Sequence, residues 1–551
     1  MMKLNELLEK IKNEFNNVLN ELEYNEHQVE VVLETPKDKV NGDYSTNLAM
    51  RLAKPLRKNP FVIAEEVVNK FNKDSIFVTK IEVARPGFIN LYLDKSFLLD
   101  TINDVLNNDS DYGNSSIGEN DHVNIEFVSV NPTGALHIGH ARGAAAGDSM
   151  SRIMKKAGYE VTKEYYVNDG GNQIHNLTLT VIERYKELYG MPFAIPEDGY
   201  HGPEIIGIAQ KIIDEFGDKF LTNEDFEFIK EYSVNALLDI LKADLHEFRV
   251  DFDVWFSEKS LYEKGEVKKT VDFLKENDFT YEEDGALWLK TSNYNDEKDR
   301  VIVKSDGLYT YLTPDVAYHK NKLSRGYTKL IDILGGDHHG YIDRLKAAIE
   351  MVGGKSDLLD VEILQMVKVI QDGVEVKMSK RSGKAITLKD LIDDVGVDPI
   401  RYFFAARSLN THMDLDLDLA LKQTNENPVY YVQYANARIN SLFNQAISKG
   451  YDLSNLPTSF TTIKNDKAFD LLSHIANYQS IIETSALQRT PHKLTNYIYN
   501  LATMFHSLYN DEVFIKDDET YTLERIALLK AIKIVLLNGL QLIGVSAPEK
   551  M

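Results

Sequence analysis

The sequence predicts a three-part protein: a doubly wound parallel α/β sheet in the middle, a small α+β unit before it and an all-α bundle after it. Three observations carry this. Between Val123 and about Leu409, strand-like apolar runs alternate with helical spacings, the pattern of crossover connections and a Rossmann-like sheet. Before Val123, a helix and short strands are closed off by a stretch rich in Asn, Ser, Asp and Gly, Asn107 to Asp121. Beyond Leu409 the pattern reads as helical to the end. The expected domains are residues 1–110, residues 120–409 with an insertion around 190–258, and residues 410–551.

A chain of 551 residues exceeds what one hydrophobic core sustains, so several domains are required. Its hydrophobic content of 43% is ordinary for a soluble globular protein. The formal charge of −23 excludes indiscriminate coating of nucleic acid, while leaving room for a local basic groove. Residues 428–551 hold 11 Lys+Arg and 11 Asp+Glu, so the whole excess lies in residues 1–427 and the C-terminal part is least repulsive to a polyanion. Zero cysteines exclude disulfides and any thiolate zinc site. With no signal peptide and no apolar run of roughly 18 residues, a cytoplasmic protein free of the membrane is expected.

Leu4, Leu7, Leu8, Ile11, Phe15, Val18, Leu19 and Leu22 recur at three- and four-residue spacing, so the chain opens with an amphipathic helix. Strands are expected at Val29 to Leu33 and Val78 to Val83, with a helix from Pro60 to Phe71 between them. The Pro86-Gly87 turn leads into Phe88 to Leu93, which alternates as a strand should. Val123 to Val130 alternates in the same way, and Ala144 to Lys156 has helical spacing. The stretch from Asn131 to Gly143 joins them. Strand, turn and helix frame a nucleotide site, because a helix N-terminus offers unpaired N–H groups and a positive dipole end to phosphate. His137 and His140, three apart, face the same way and can donate to phosphoryl oxygens, while Gly134 and Gly139 leave backbone room for a base or ribose. The competing reading is two surface histidines that share a helix turn.

Tyr165 to Ile174 closes the second strand and caps the next helix, and Tyr189 to Glu258 is a helical, acidic insertion between the two halves of the sheet. Ile333 to Tyr341 follows an apolar strand and opens a helix, at a sheet edge where ligands bind. There Asp337-His338-His339 admits a metal site or a satisfied turn as well. Gln371-Asp372-Gly373-Val374 forms a hairpin turn, so the following Lys377-Met378-Ser379-Lys380-Arg381-Ser382-Gly383 hangs from a β-ribbon and can move. The stripe of Tyr430, Tyr431 and Tyr434 reads as core packing rather than a base-stacking platform.

Asn131 to Gly143 resembles the His-Ile-Gly-His motif of class I aminoacyl-tRNA synthetases, and Lys377 to Gly383 matches the mobile Lys-Met-Ser-Lys loop of that class, in the expected order. Tyr165 to Ile174 is similar to a string typical of arginyl-tRNA synthetases. Gly42 to Asn47 and Pro86 to Asn90 resemble that family's N-terminal additional domain, which touches the tRNA elbow. Asn427 to Ile439, Phe505 to Asn510 and Ala547 to Met551 resemble its helical anticodon-binding domain, with Asn436 where the family more often has His. The insertion is too short to be a separate editing domain.

The resemblance, which spans essentially the whole chain, implies an arginine–tRNA ligase. Such an enzyme joins L-arginine to ATP, releases pyrophosphate, and passes the arginyl group to the 3′-terminal adenosine of tRNA(Arg). It implies His137, His140, Lys377 and Lys380 as catalytic groups, with Thr133, Gly134, Gly139, Gly335, Asp337, Met378 and Ser379 joining them around ATP. It places Glu126, Ser129, Asn131, His140, Tyr311, Asp315 and His338 around arginine, His338 standing where many relatives have Gln. It places Tyr434, Arg438, Tyr509 and Met551 at the tRNA. Read without it, Asp315 is equally a helix N-cap after Pro314, and Glu126 a strand-end ion pair. ATP with Mg²⁺, no bound zinc, no protein nucleophile and a monomeric enzyme complete the expectation. A smaller nucleotidyltransferase would lack the helical C-terminal domain, and a silent tRNA-binding paralogue would have no need of intact His137, His140 and Lys380.

Overall fold

The computed structural model describes residues 4–27, 29–73, 77–222, 225–376, 378 and 385–551, and only the backbone of residues 4, 5, 39 and 337–339. Helix α1 (Leu4–Glu21) buries Leu7, Ile11, Phe15, Val18 and Leu19 along one side, as their spacing requires. Strand β1 (Tyr44–Thr46), helices α2 (Leu48–Leu56) and α3 (Pro60–Lys70), and strands β2 (Val78–Ala84) and β3 (Phe88–Leu93) complete the first unit, with sheet order β1-β3-β2. The expected strand at Val29 to Leu33 is absent. Its one neighbour, β1, spans three residues, so pairing shrinks to a single bridge between Glu34 and Ser45, and Arg51 takes the Glu30 carbonyl instead.

After α4 (Asp100–Asn108) the central unit runs β4 (His122–Glu126), α5 (Ile138–Lys156), β5 (Glu160–Val167), α6 (Gly171–Leu188), α7 (Pro203–Phe216), α8 (Lys219–Thr222), α9 (Phe226–Glu247) and β6 (Val254–Ser257). It continues with α10 (Lys259–Glu263), α11 (Glu266–Glu276), an antiparallel meander β7 (Thr280–Glu283), β8 (Ala286–Leu289) and β9 (Arg300–Val303), then α12 (Leu312–Ser324), β10 (Lys329–Gly335), α13 (Ile342–Met351) and β11 (Leu359–Leu364). The parallel sheet has the order β11-β10-β4-β5-β6. The chain enters at β4, grows outward to β6, then returns to build β10 and β11 on the other side. The switch point lies between β4 and β10, the place where open sheets of this kind form a ligand crevice outside the strand C-termini.

Two details differ from expectation. Strand β4 stops at Glu126 instead of running to Val130, because the chain leaves the sheet through Val128 and Ser129 at φ of 69° and 41°. The Tyr165 hydroxyl then holds both the N–H and the carbonyl of Val130. The helical insertion interrupts the β5–β6 connection rather than separating the two halves of the sheet, and its last residues form edge strand β6. Helices α6, α7 and α9 share a small core of their own, including Leu177, Ile208 and Leu237.

Strands β12 (Val367–Gln371) and β13 (Val374–Glu375) pair across Asp372 and Gly373, both at positive φ, the geometry an Asp-Gly hairpin favours. They are followed by α14 (Leu388–Asp394), α15 (Val397–Ala405), β14 (Met413–Asp416) and α16 (Leu417–Leu421). Strand β14 corrects the purely helical reading beyond Leu409. It pairs in parallel with β12, with Met413 and Leu415 buried, and four residues are too few to announce a strand by alternation. The bundle consists of α17 (Pro428–Ser448), α18 (Asp466–Ala476), α19 (Tyr478–Leu487), α20 (Pro491–Asp511) and α21 (Glu519–Leu542). Helix α21 is apolar nearly all round and lies at its centre.

Buried polar bonds weld bundle to sheet. The fully buried Arg401 on α15 donates to the Ile543 carbonyl and, at 2.6 Å, to Asp148 on α5. Arg489 reaches Asp360 and Glu362 on β11, and the Tyr112 hydroxyl donates to the Ile475 carbonyl. Among the described residues no helix is long and apolar enough to cross a membrane.

Candidate active site

Helix α5 begins six residues earlier than its apolar spacing suggests, because histidines cap it. The His137 Nδ1 accepts the Gly139 N–H, and the His140 Nδ1 accepts the His137 N–H, each at 3.1 Å. This is a reciprocal capping box with imidazole acceptors in both roles. Once Nδ1 is an acceptor in both rings, each neutral ring must carry its proton on Nε2. The rings stack at 3.4 Å, so protonating both would bring two cations into contact, and protonating either would forfeit its Nδ1 cap. Burial lowers His137, and burial followed by the neighbouring His137 pushes His140 down to about 3. The helix start therefore presents two neutral N–H donors whose orientation is set by backbone bonds.

The surroundings explain why this turn is crowded with small residues. A Cβ on Gly139 would lie 3.0 Å from Cε1 of His137 and push the ring out of its cap. Two turns further in, a Cβ on Gly147 would meet the Phe127 ring at 2.4 Å, so α5 lies hard against the end of β4. From the insertion, Tyr200 hydrogen-bonds Thr133, and Glu204 stands 3.1 Å from where a Cβ of Gly134 would be. Arg142 donates to the carbonyls of Gln365, Ser408 and Thr411, tying α5 to the ribbon.

That ribbon joins the two motifs. Residue His137 bridges Thr387, and the Leu388 N–H donates to the Leu136 carbonyl at 2.7 Å, so the chain leaving the Lys-Met-Ser-Lys stretch is anchored at the capped helix. Met378 is exposed and bridges Ala385. Lys377, Ser379 and Lys380 lie outside the described residues, as do the side chains of Asp337 and His338. Gly335 ends β10 beside the switch point.

Across the crevice, Asp315 sits in the first turn of α12, inside the helix rather than at its cap. Its carboxylate meets the Nδ1 of His319 at 3.0 Å and accepts from the Tyr341 hydroxyl. Glu258, just past β6, is half-buried and accepts from the Tyr166 hydroxyl at 2.7 Å. Burial raises it, and Asp169 and Asp315 raise it further. Sequence reasoning missed Glu258 by assigning it to the end of the insertion. The available signal was an acidic residue directly after a sheet strand, at the ligand-binding edge.

Glu126 proves to be half of an ion pair. It accepts from Lys322 at 2.5 Å, from Tyr318 and from Ser129. Lys322 also reaches Asp332 at 2.9 Å, and Arg325 grips Glu164 through two bonds of 2.7 and 2.8 Å. Burial alone would lower Lys322, yet Asp332 and Glu126 together raise it. Asn131 donates to Gln173 at 2.5 Å. Tyr311 directly precedes α12 and is 88% exposed.

In the bundle, the Arg438 guanidinium lies 4.5 Å from the Tyr434 ring and 4.6 Å from the Tyr509 ring. Tyr430 stacks on Tyr434, and the exposed Met551 borders the same surface pocket as Tyr430 and Gln433. Tyr431 packs against the core as expected, whereas Tyr430 and Tyr434 are half-buried on a surface ledge, because the buried face of α17 is taken by Val429, Val432, Ala435 and Ile439. Asn436 is buried beneath it and donates both amide hydrogens, to the carbonyls of Ala547 and Pro548.

Three family models match the chain. "Arginyl tRNA synthetase N terminal domain" matches residues 9–93, "tRNA synthetases class I (R), catalytic domain" residues 101–402, and "DALR anticodon binding domain" residues 432–551. An arginine–tRNA ligase of Bacillus subtilis is 51% identical over 525 residues, covering 95% of this chain and 94% of its own. One of Bacillus cereus is 49% identical over 535 residues, 96% of each. The solved structure of the Thermus thermophilus arginyl-tRNA synthetase superposes over 98% of this chain and 100% of its own, with a TM-score of 0.72. At 21% identity that likeness speaks for the fold alone.

Proposed function

The chain belongs to the arginyl-tRNA synthetase family of class I aminoacyl-tRNA synthetases, and from that premise we propose how its residues divide the reaction of an arginine–tRNA ligase. The arginine carboxylate attacks the α-phosphorus of ATP in line, and pyrophosphate leaves. The 2′-hydroxyl of the terminal adenosine then attacks the arginyl carbonyl, releasing AMP. Mg²⁺ enters with ATP as part of the substrate.

The carrying observation is the acidic pocket at the switch point. Among the described residues Asp315 and Glu258 have no Lys or Arg partner, Asp315 meeting only the His319 ring, whereas the neighbouring carboxylates Glu126, Asp332 and Glu164 are each matched by a Lys or Arg. A planar, permanently charged guanidinium with five donors supplies what that pair lacks. Tyr166, beside Glu258, and Tyr318, 4.5 Å from it, add an aromatic wall. Ser129 and Asn131 serve the α-amino and carboxylate end, and His338 completes the arginine set. Tyr311 closes on the side chain when substrate arrives, and Glu126 contributes through the Lys322 network rather than by direct contact.

Negative charge grows on the α-phosphate during the first step, and donors fixed beforehand stabilise it most effectively. The Nε2–H groups of His137 and His140 are such donors, neutral and held by their own backbone bonds. Thr133, Gly134, Gly139, Gly335, Asp337, Met378 and Ser379 line the nucleotide, and Lys377 and Lys380 close over the departing pyrophosphate.

Residues 410–551 take the anticodon stem, with Tyr434, Arg438, Tyr509 and Met551 forming the ledge on which bases stack. Residues 1–110 meet the tRNA elbow, and residues 120–409 carry the chemistry. The enzyme acts as a monomer in the cytoplasm, where a cysteine-free translation enzyme finds its substrates. Charging of bulk tRNA with each amino acid in turn tests the reading. Arginine alone should be incorporated, and efficient transfer of any other amino acid would overturn it.

A further inference from the structure

We propose that His319 is the positioning residue of the arginine pocket: an imidazolium, bridging α12 and β10, that holds the Asp315 carboxylate in place for the guanidinium. The inference rests on the assignment of Asp315 made above.

The ring is 2% exposed and both of its nitrogens face acceptors. Its Nδ1 lies 2.9 Å from the carbonyl oxygen of Asp315 and 3.0 Å from Oδ1 of the same residue, and its Nε2 lies 2.9 Å from Oδ2 of Asp332. A carbonyl oxygen only accepts, so Nδ1 carries a hydrogen. The other oxygen of Asp332 accepts from Lys322 at 2.9 Å, which keeps that group an ionised carboxylate, so Nε2 carries a hydrogen too. A neutral imidazole has one N–H. The geometry therefore requires the doubly protonated ring, and the two carboxylates outweigh burial in raising His319 to about 10.

The charged groups facing the ring are Asp315 from its own helix and Asp332 from β10, with Lys322 and Glu126 one contact beyond and the Tyr318 ring edge-on at 5.3 Å. The bridge does two things. It references Asp315, one helical turn earlier on α12, to the fixed frame of the sheet through Asp332. It also sets a positive charge against Asp315, in a region where Asp315 raises the half-buried Glu258. A glutamine at this place carries its donors on one atom and cannot bridge both acceptors as donor.

The test is His319→Gln in the full-length enzyme, assayed by steady-state charging. The arginine KM should rise at least tenfold, with kcat within threefold of the parent and the ATP KM unchanged. In an Asp315→Asn background the same change should add less than twofold, because both substitutions disable one device. An equal fold-change in both backgrounds, or a loss spread over kcat and the ATP KM, would make His319 a packing residue and overturn the proposal. A parent-like arginine KM in Asp315→Asn alone would instead overturn the assignment beneath it. Should His319→Gln fail to fold, ¹⁵N spectra of the histidine-labelled parent enzyme at pH 8.5 decide. There exposed histidines are neutral, and a buried imidazolium supports the bridge, whereas its absence refutes it.

Discussion

Replacing His140 by alanine removes two functions that its two ring nitrogens keep apart. Nδ1 is the acceptor for the His137 N–H, and losing a cap acceptor costs about 0.5–2 kcal/mol of stability. Nε2–H is the proposed phosphate donor, and losing one preorganised donor lowers turnover about 10²–10³-fold, equivalent to about 2.7–4 kcal/mol in the transition state. His140→Ala should therefore lose on the order of 1 kcal/mol in urea unfolding while ATP–pyrophosphate exchange, measured with cognate tRNA present, falls at least 10²-fold. The pH dependence sharpens the expectation. His140 is held neutral down to about 3, so it should impose no ionisation on exchange between pH 6 and 8. A donor working as imidazolium would instead lose rate as pH rose through about 6.5. For stability the sign is opposite: the unfolded His140 takes up a proton near 6.5 and the folded ring does not until about 3, so the fold weakens as pH drops between the two. A rate loss below tenfold, an effect confined to the ATP KM, or a rate falling tenfold per pH unit above 6.5 would refute the neutral-donor reasoning.

Lys380→Ala should slow adenylate formation far more than it weakens arginine binding, because a closing lysine acts only where charge develops on the phosphates; single-turnover kinetics with unchanged rate would remove it from the mechanism. Asp148→Asn leaves Arg401, Arg152 and Lys163, at 2.6, 2.7 and 3.0 Å, facing a neutral amide in a fully buried site, and should destabilise by about 3–5 kcal/mol. A denaturation midpoint within error of the parent would show that those cations find another partner. Arg438→Ala should raise the tRNA KM roughly tenfold, in line with about 1–3 kcal/mol per stacked base, and leave the arginine and ATP KM alone; parent-like tRNA dependence would place the ledge outside the tRNA footprint.

The weld between bundle and sheet changes how the C-terminal domain can be tested. From sequence, residues 428–551 look removable with the sheet left intact. In the structure their removal would strip Arg401 of the Ile543 carbonyl, Asp398 of Gln433 and Ser546, and Asp360 of Arg489. Buried charges would be left facing water or nothing, so point substitutions on the ledge are the cleaner probe.

By itself the sequence determined what short-range chemistry can specify. The amphipathic period of α1 and the Asp372-Gly373 hairpin each depend on residues near one another in sequence, and each appears where expected. Only the tertiary structure decided the states of the groups. Val29 to Leu33 is no strand because its partner is too short, and β14 is one because β12 offers an edge. Glu126 reads as an arginine ligand or a strand-end ion pair until Lys322, 196 residues away, is seen to hold it, and Glu258 reads as insertion until β6 sets it where Asp315 raises it. Even the histidines, obvious in sequence, are neutral donors only because their rings cap a helix. Ionisation and pairing follow from the distance and burial of every neighbouring charge, and those neighbours converge only when crossovers bring distant strand ends to one switch point.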